Sequence, residues 1–105
     1  MEERCAIVFT TIDSEDRAQA LARSIVEAKL AACVQIEVIR SIYRWQGSIH
    51  DEPEWRLTIK TTRGRYTALE QHIRAHHTYE TPEIVCLPIA GGSSDYLAWI
   101  EASVR

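Results

Sequence analysis

The sequence offers little to anchor a metal or a cofactor by motif. It has three cysteines, Cys5, Cys33 and Cys86, and no two form a Cys-x-x-Cys pair, so a structural zinc knuckle is not expected. An odd count spread over separate apolar runs reads as buried free thiols. No Gly-rich phosphate loop is present, since Gly91-Gly92 lacks the lysine that would follow. No nucleophile, base and acid can be assembled from residues placed by motif, which argues against an enzyme. No apolar run approaches a membrane span. The start carries Glu2 and Glu3 instead of the basic region of a signal peptide, so a cytoplasmic protein is expected. The net charge of −3 is too mild and of the wrong sign for broad binding of nucleic acid.

What is present is an ordinary globular mix. Apolar residues make up 46% and charged residues 26%, which argues against disorder. A length of 105 residues suits one domain over residues 1–105, with no internal repeat. Arg4 to Thr11 reads as a first strand, apolar on both faces. Asp13 is the expected N-cap of a helix running to about Lys29, with Ala18, Leu21, Ala22, Ile25 and Ala28 on one stripe.

Cys33 to Trp45 reads as a long strand. Its apolar phase switches from Val34, Ile36 and Val38 to Ile39, Tyr43 and Trp45, which predicts a bulge or a change of packing partner. Gly47 marks a turn, and Trp55 to Thr61 returns as the hairpin partner after an irregular stretch at His50 to Pro53. Gly64 opens a second helix with Tyr66, Leu69, Ile73 and His77 on a stripe, stopped by Thr81-Pro82. Glu83 to Ala90 reads as a fourth strand, and Ser93 or Ser94 caps a last helix.

The order predicts an α+β fold: a ferredoxin-like β-α-β-β-α-β sandwich with an antiparallel sheet and an added C-terminal helix. Its fourth strand falls at an edge and is apolar on both faces. In water such an edge invites further pairing, so association with other copies is expected.

Five segments resemble one family. They are Leu30-Ala31-Ala32-Cys33-Val34-Gln35-Ile36, Ser41-Ile42-Tyr43-Arg44-Trp45-Gln46-Gly47, Glu54 with Lys60-Thr61, His77 to Ile84, and Tyr96-Leu97-Ala98-Trp99-Ile100. Their content and order are similar to the divalent-cation-tolerance (CutA) family. Gln35 and Thr78 depart from it, standing where the family has Asn and Pro. The resemblance implies a trimeric ferredoxin-like protein associated with tolerance to divalent metals such as copper.

Several residues are candidates for the chemistry. Cys33, His77 and Glu80 form the expected metal set, because thiolate and imidazole together suit copper or zinc. The competing reading is a buried cysteine and a histidine at a helix C-terminus. The expected cation is copper, held weakly, with no tightly bound cofactor. His72 and His76, four apart on a helix, match either a bidentate clamp or a solvated polar face. Trp45, Trp55, Lys60, Tyr79 and Glu83 are expected to line a cleft or a subunit interface, with Lys60 paired to Glu83 or Glu54. A second function class also fits the fold: a module like the trimeric PII signalling proteins, binding a small molecule between subunits.

Overall fold

The computed structural model describes residues 4–105. Its elements are β1 (Cys5–Ile12), α1 (Glu15–Glu27), β2 (Cys33–Trp45), β3 (Ser48–Thr62), a 3-10 turn (Arg63–Arg65), α2 (Tyr66–His76), β4 (Ile84–Pro88) and α3 (Ser94–Ser103). They build one four-stranded sheet of order β2-β3-β1-β4, every neighbouring pair antiparallel. This is the expected α+β arrangement, with β4 at an edge.

Alternation along the strands decides what each face meets. Val8 and Ile12 of β1 and Leu57 and Ile59 of β3 face α1 and α2, where Leu21, Ile25, Leu69 and Ile73 complete the core. Removing one such side chain to Ala typically costs about 2–5 kcal/mol. The opposite face carries Ile7, Phe9, Arg56, Thr58 and Lys60. There α3 covers only one end, where the Cys5 thiol reaches the Leu97 carbonyl at 3.7 Å.

The first helix is capped by Ser14, not Asp13. The Ser14 hydroxyl accepts from the Arg17 N–H, while the Asp13 carboxylate takes the Arg17 guanidinium at 3.1 Å. The C-terminal end comes two residues earlier than expected. Lys29 adopts a left-handed φ of 58°, and the Leu30 and Lys29 amides close back on the Ile25 and Val26 carbonyls. That is a Schellman closure with buried Leu30 over buried Ile25. It turns Ala28 out to solvent.

The β2–β3 hairpin has no bulge. Its register runs unbroken from Cys33↔Lys60 to Trp45↔Ser48. The 50–53 stretch is strand rather than loop, with Pro53 opposite Arg40. Beyond Trp55, β3 has left its partner β1 behind, and a strand with one open side tolerates a residue lacking an N–H. The phase switch has another cause. Past Val38 no helix among the described residues backs the hairpin, so no single buried face dictates alternation. Val38 is 63% and Ile42 69% exposed. Gln46 and Gly47, at φ 50° and 81°, form the two-residue turn whose twist matches the strands.

β4 is shorter than expected, ending at Pro88, although the Ile89 amide still bonds the Cys5 carbonyl at 3.0 Å. Ser93 sits at the N-cap of α3 without a side-chain bond. Asp95 instead accepts from the Tyr96 N–H.

Candidate functional site

The segment between α2 and β4 organises the site. His77 ends α2 and folds its ring over the last turn of β1. Its Nε2–H donates to the Thr11 carbonyl at 2.7 Å, and its Nδ1 accepts the Tyr79 N–H at 3.0 Å. Accepting at Nδ1 fixes the neutral ring with its proton on Nε2. The ring also rests against Tyr79, with centroids 4.8 Å apart. So placed, Tyr79 donates its hydroxyl to Glu54 Oε2 at 2.7 Å.

Glu54 is only 7% exposed, although it lies on the face of β3 away from the helices. Tyr79 is what covers it. Burial, and then the bond to the Glu54 carboxylate, push the Tyr79 phenol far above its ordinary range. It therefore stays a hydrogen-bond donor.

Around this pair opens a cleft of about 670 Å³, between the projecting hairpin and the 79–83 segment. Glu54, Glu80 and Glu83 give it three carboxylates, with Arg40 the one basic residue in its wall among the described residues. Tyr43 and Trp45 supply aromatic surface. Arg40 is held by Asp51 at 2.7 Å. Tyr43 donates to Glu52 at 3.0 Å and stacks on His50. That bond, then burial, raises the Tyr43 pKa.

Of the residues singled out in the sequence, Tyr43, Trp45, Glu54, Tyr79, Glu80 and Glu83 meet in this cleft. The others do not. Trp55 pairs with Ile12 and Val38 and packs against the core, far from the hairpin tip. Lys60 is held by Gln35 at 2.9 Å and by the Tyr96 hydroxyl at 3.4 Å. It pairs with neither Glu54 nor Glu83, because those lie towards the other end of the sheet.

Cys33 shares a row with Lys60 and Ile7. His77 sits at Thr11, four residues further along β1, roughly 13 Å at the rise of a strand. One chain thus does not bring Cys33 to His77 and Glu80, and both nitrogens of His77 are already engaged. Among the described residues no group of three or more His, Cys, Asp or Glu could hold a metal ion.

The cysteines are all free, but only Cys5 is buried; Cys33 is half-buried and Cys86 exposed. His72 and His76 stack at 4.2 Å without forming a clamp. His72 Nε2 meets the Ser24 hydroxyl at 2.9 Å, linking α2 to α1, and His76 Nδ1 meets the His72 carbonyl at 2.8 Å. Arg40 was not among the residues singled out in the sequence; its only signal was membership of a strand too long to be buried by this chain.

No helix among the described residues is long and apolar enough to cross a membrane. Residues 6–103 match the family model described as CutA1 divalent ion tolerance protein. The chain is 45% identical to the divalent-cation tolerance protein CutA of Thermus thermophilus over 101 residues, covering 95% of each. It is 42% identical to the chloroplastic protein CutA of Arabidopsis thaliana, covering 94% of this chain. The chain spans little more than half of the plant relatives, 55% of that protein and 56% of the chloroplastic CutA 1 of Oryza sativa. Among solved structures it is similar to CutA from Synechococcus elongatus PCC7942, with a TM-score of 0.95 and 39% identity over 99% of this chain and 93% of that one. With the fold and nearly the whole length in agreement, this chain belongs to the CutA family of divalent-cation tolerance proteins.

Proposed function

We propose that this protein serves divalent-cation tolerance without enzymatic chemistry, as a cytoplasmic homotrimer that meets divalent cations weakly, copper ahead of the others. The observation that carries the reading is a cleft lined by the buried Glu54 and by Glu80 and Glu83, a concentration of acidic side chains without a preformed three-ligand site among the described residues. Anionic oxygens in a partly enclosed space favour a divalent cation. Across the first-row divalent metals, affinity peaks at copper for a given donor set. Binding is weak because Glu54 is already engaged by Tyr79. In this reading Cys33 adds a soft ligand only from a neighbouring copy, since within one chain it stands apart.

What supports the trimer is the surface left uncovered. Val85 and Leu87 on edge strand β4 are 45% and 51% exposed, beside Ile7 and Phe9 of β1. The other edge is the long β2. Copies joined head to tail, the β4 edge of one against the hairpin of the next, close a ring with no open edge.

The test is titration with copper, zinc and magnesium, followed by calorimetry. Glu80→Gln/Glu83→Gln should weaken copper binding and Cys33→Ser should weaken it less. Equal affinity in the wild type and both variants would remove the proposal. The second reading, a PII-like module with a small molecule in clefts between subunits, draws on the volume of the cleft and its Tyr43, Trp45 and Arg40. Titration with small organic ligands, showing saturable binding where no cation binds, would favour it.

A further inference from the structure

At the other end of the sheet lies a second concavity, of about 650 Å³, between the end of α3, the start of β1 and the β3–α2 connection. Its wall is basic. Among the described residues, Arg4, Arg63, Arg65 and Arg105 line it against one side-chain carboxylate, Glu101. Four of the chain's twelve Lys and Arg residues therefore gather here, in a protein of net charge −3.

Among the described residues, little of that charge is neutralised. Arg4 approaches Glu101 at 3.6 Å. Arg65 spends its Nε on the Val104 carbonyl at 2.8 Å, which fixes the plane of its guanidinium. Among the described residues, Arg63, Arg65 and Arg105 form no ion pair with a carboxylate, whereas Arg17, Arg40, Arg56 and Arg74 each do.

The backbone adds to the field. A three-residue 3-10 turn, Arg63–Arg65, leads into α2 in this wall, and its first N–H, that of Arg63, already bonds the Arg4 carbonyl at 2.8 Å. Neither Thr62 nor Arg65 supplies a side-chain cap, and no acidic residue stands in the first turn. A helix start normally attracts a capping oxygen or a carboxylate, because its N–H groups carry partial positive charge. Here arginines occupy that place, an arrangement of like charges that an anion would relieve. Gly64 sits between them with almost no atom near the position a Cβ would take, its nearest neighbour being the Thr62 hydroxyl at 4.0 Å. An oxyanion can therefore approach the backbone closely.

We infer that this concavity binds a phosphate group, either free as an inorganic phosphate or pyrophosphate or carried by a nucleotide. Guanidinium forks match tetrahedral oxyanions in a bidentate way that lysine does not. The site is separate from the acidic cleft and independent of cation binding there.

The probe is sodium pyrophosphate added to the intact protein at constant ionic strength, followed by amide NMR shifts and calorimetry. Saturable shifts centred on Gly64 and Arg65 are expected at millimolar concentrations or below. Arg63→Gln and Arg4→Gln should each weaken binding by about tenfold, the scale of one charge-assisted contact. Arg17→Gln, exposed on α1 and outside both concavities, should leave it unchanged. Adenosine triphosphate binding more tightly than pyrophosphate would identify a nucleotide source, and equal affinity a free phosphate; both support the site. Three results would overturn it: no saturable shift, undiminished binding in Arg63→Gln and Arg4→Gln with unchanged folding, or equal displacement by matched sodium chloride.

Discussion

Tyr79 and Glu54 are 25 positions apart in the chain, and their side-chain oxygens are 2.7 Å apart in the fold. Tyr79→Phe should leave a buried carboxylate without its donor and destabilise the protein by about 1–3 kcal/mol, read from denaturant unfolding. The same contact sets an alkaline limit. The folded protein keeps the Tyr79 proton to higher pH than the unfolded chain does. The unfolded state therefore loses its proton first, and the contribution is present below the ordinary tyrosine value, about 10. Stability should fall as pH rises above that value. Tyr79→Phe should flatten this fall; an unchanged slope would mean the phenol titrates normally.

On the acid side, His72 is the group to watch. Burial, then the neighbouring His76, lower its pKa. The folded state resists its protonation while the unfolded chain accepts a proton near pH 6.5. Stability is thus full above that value and is lost as pH falls through the folded one. His72→Gln, which can still reach the Ser24 hydroxyl, should reduce the loss between pH 7.5 and pH 5. A mutant with the same pH slope as the wild type would count against the assignment.

Lys29 holds a left-handed φ at the end of α1. A non-glycine residue there is strained, and glycine is not. Lys29→Gly should stabilise the protein by about 0.5–1 kcal/mol, with thermal unfolding as the measure. A destabilised mutant would show that the Lys29 side chain contributes more than its backbone costs.

Val85 and Leu87 present apolar surface on an edge strand of the uncovered sheet face. Val85→Glu/Leu87→Lys should dissociate the proposed trimer to monomers at micromolar concentration in light scattering, because buried charge without a partner is disfavoured. A wild type that is already monomeric would remove the idea. A trimer untouched by both changes would place the contact elsewhere.

The sequence by itself determined the element order, the strand from Cys33 to Trp45 and the core stripe of Leu21, Ile25, Leu69 and Ile73. Those signals are periodic and local, and each follows from one covered face. It also carried the family, because five separated segments keep one order. Tertiary structure decided the rest. Ser14 displaced Asp13 as the cap because Arg17 claimed the carboxylate. The hairpin ran straight because no described element buries its far half. Cys33 and His77 parted because sheet register set them four residues apart. Glu54 became a buried acid only when His77 anchored to Thr11 and swung Tyr79 over it. Burial of a polar side chain depends on which distant segment closes above it, and the spacing of residues along one strand does not contain that information.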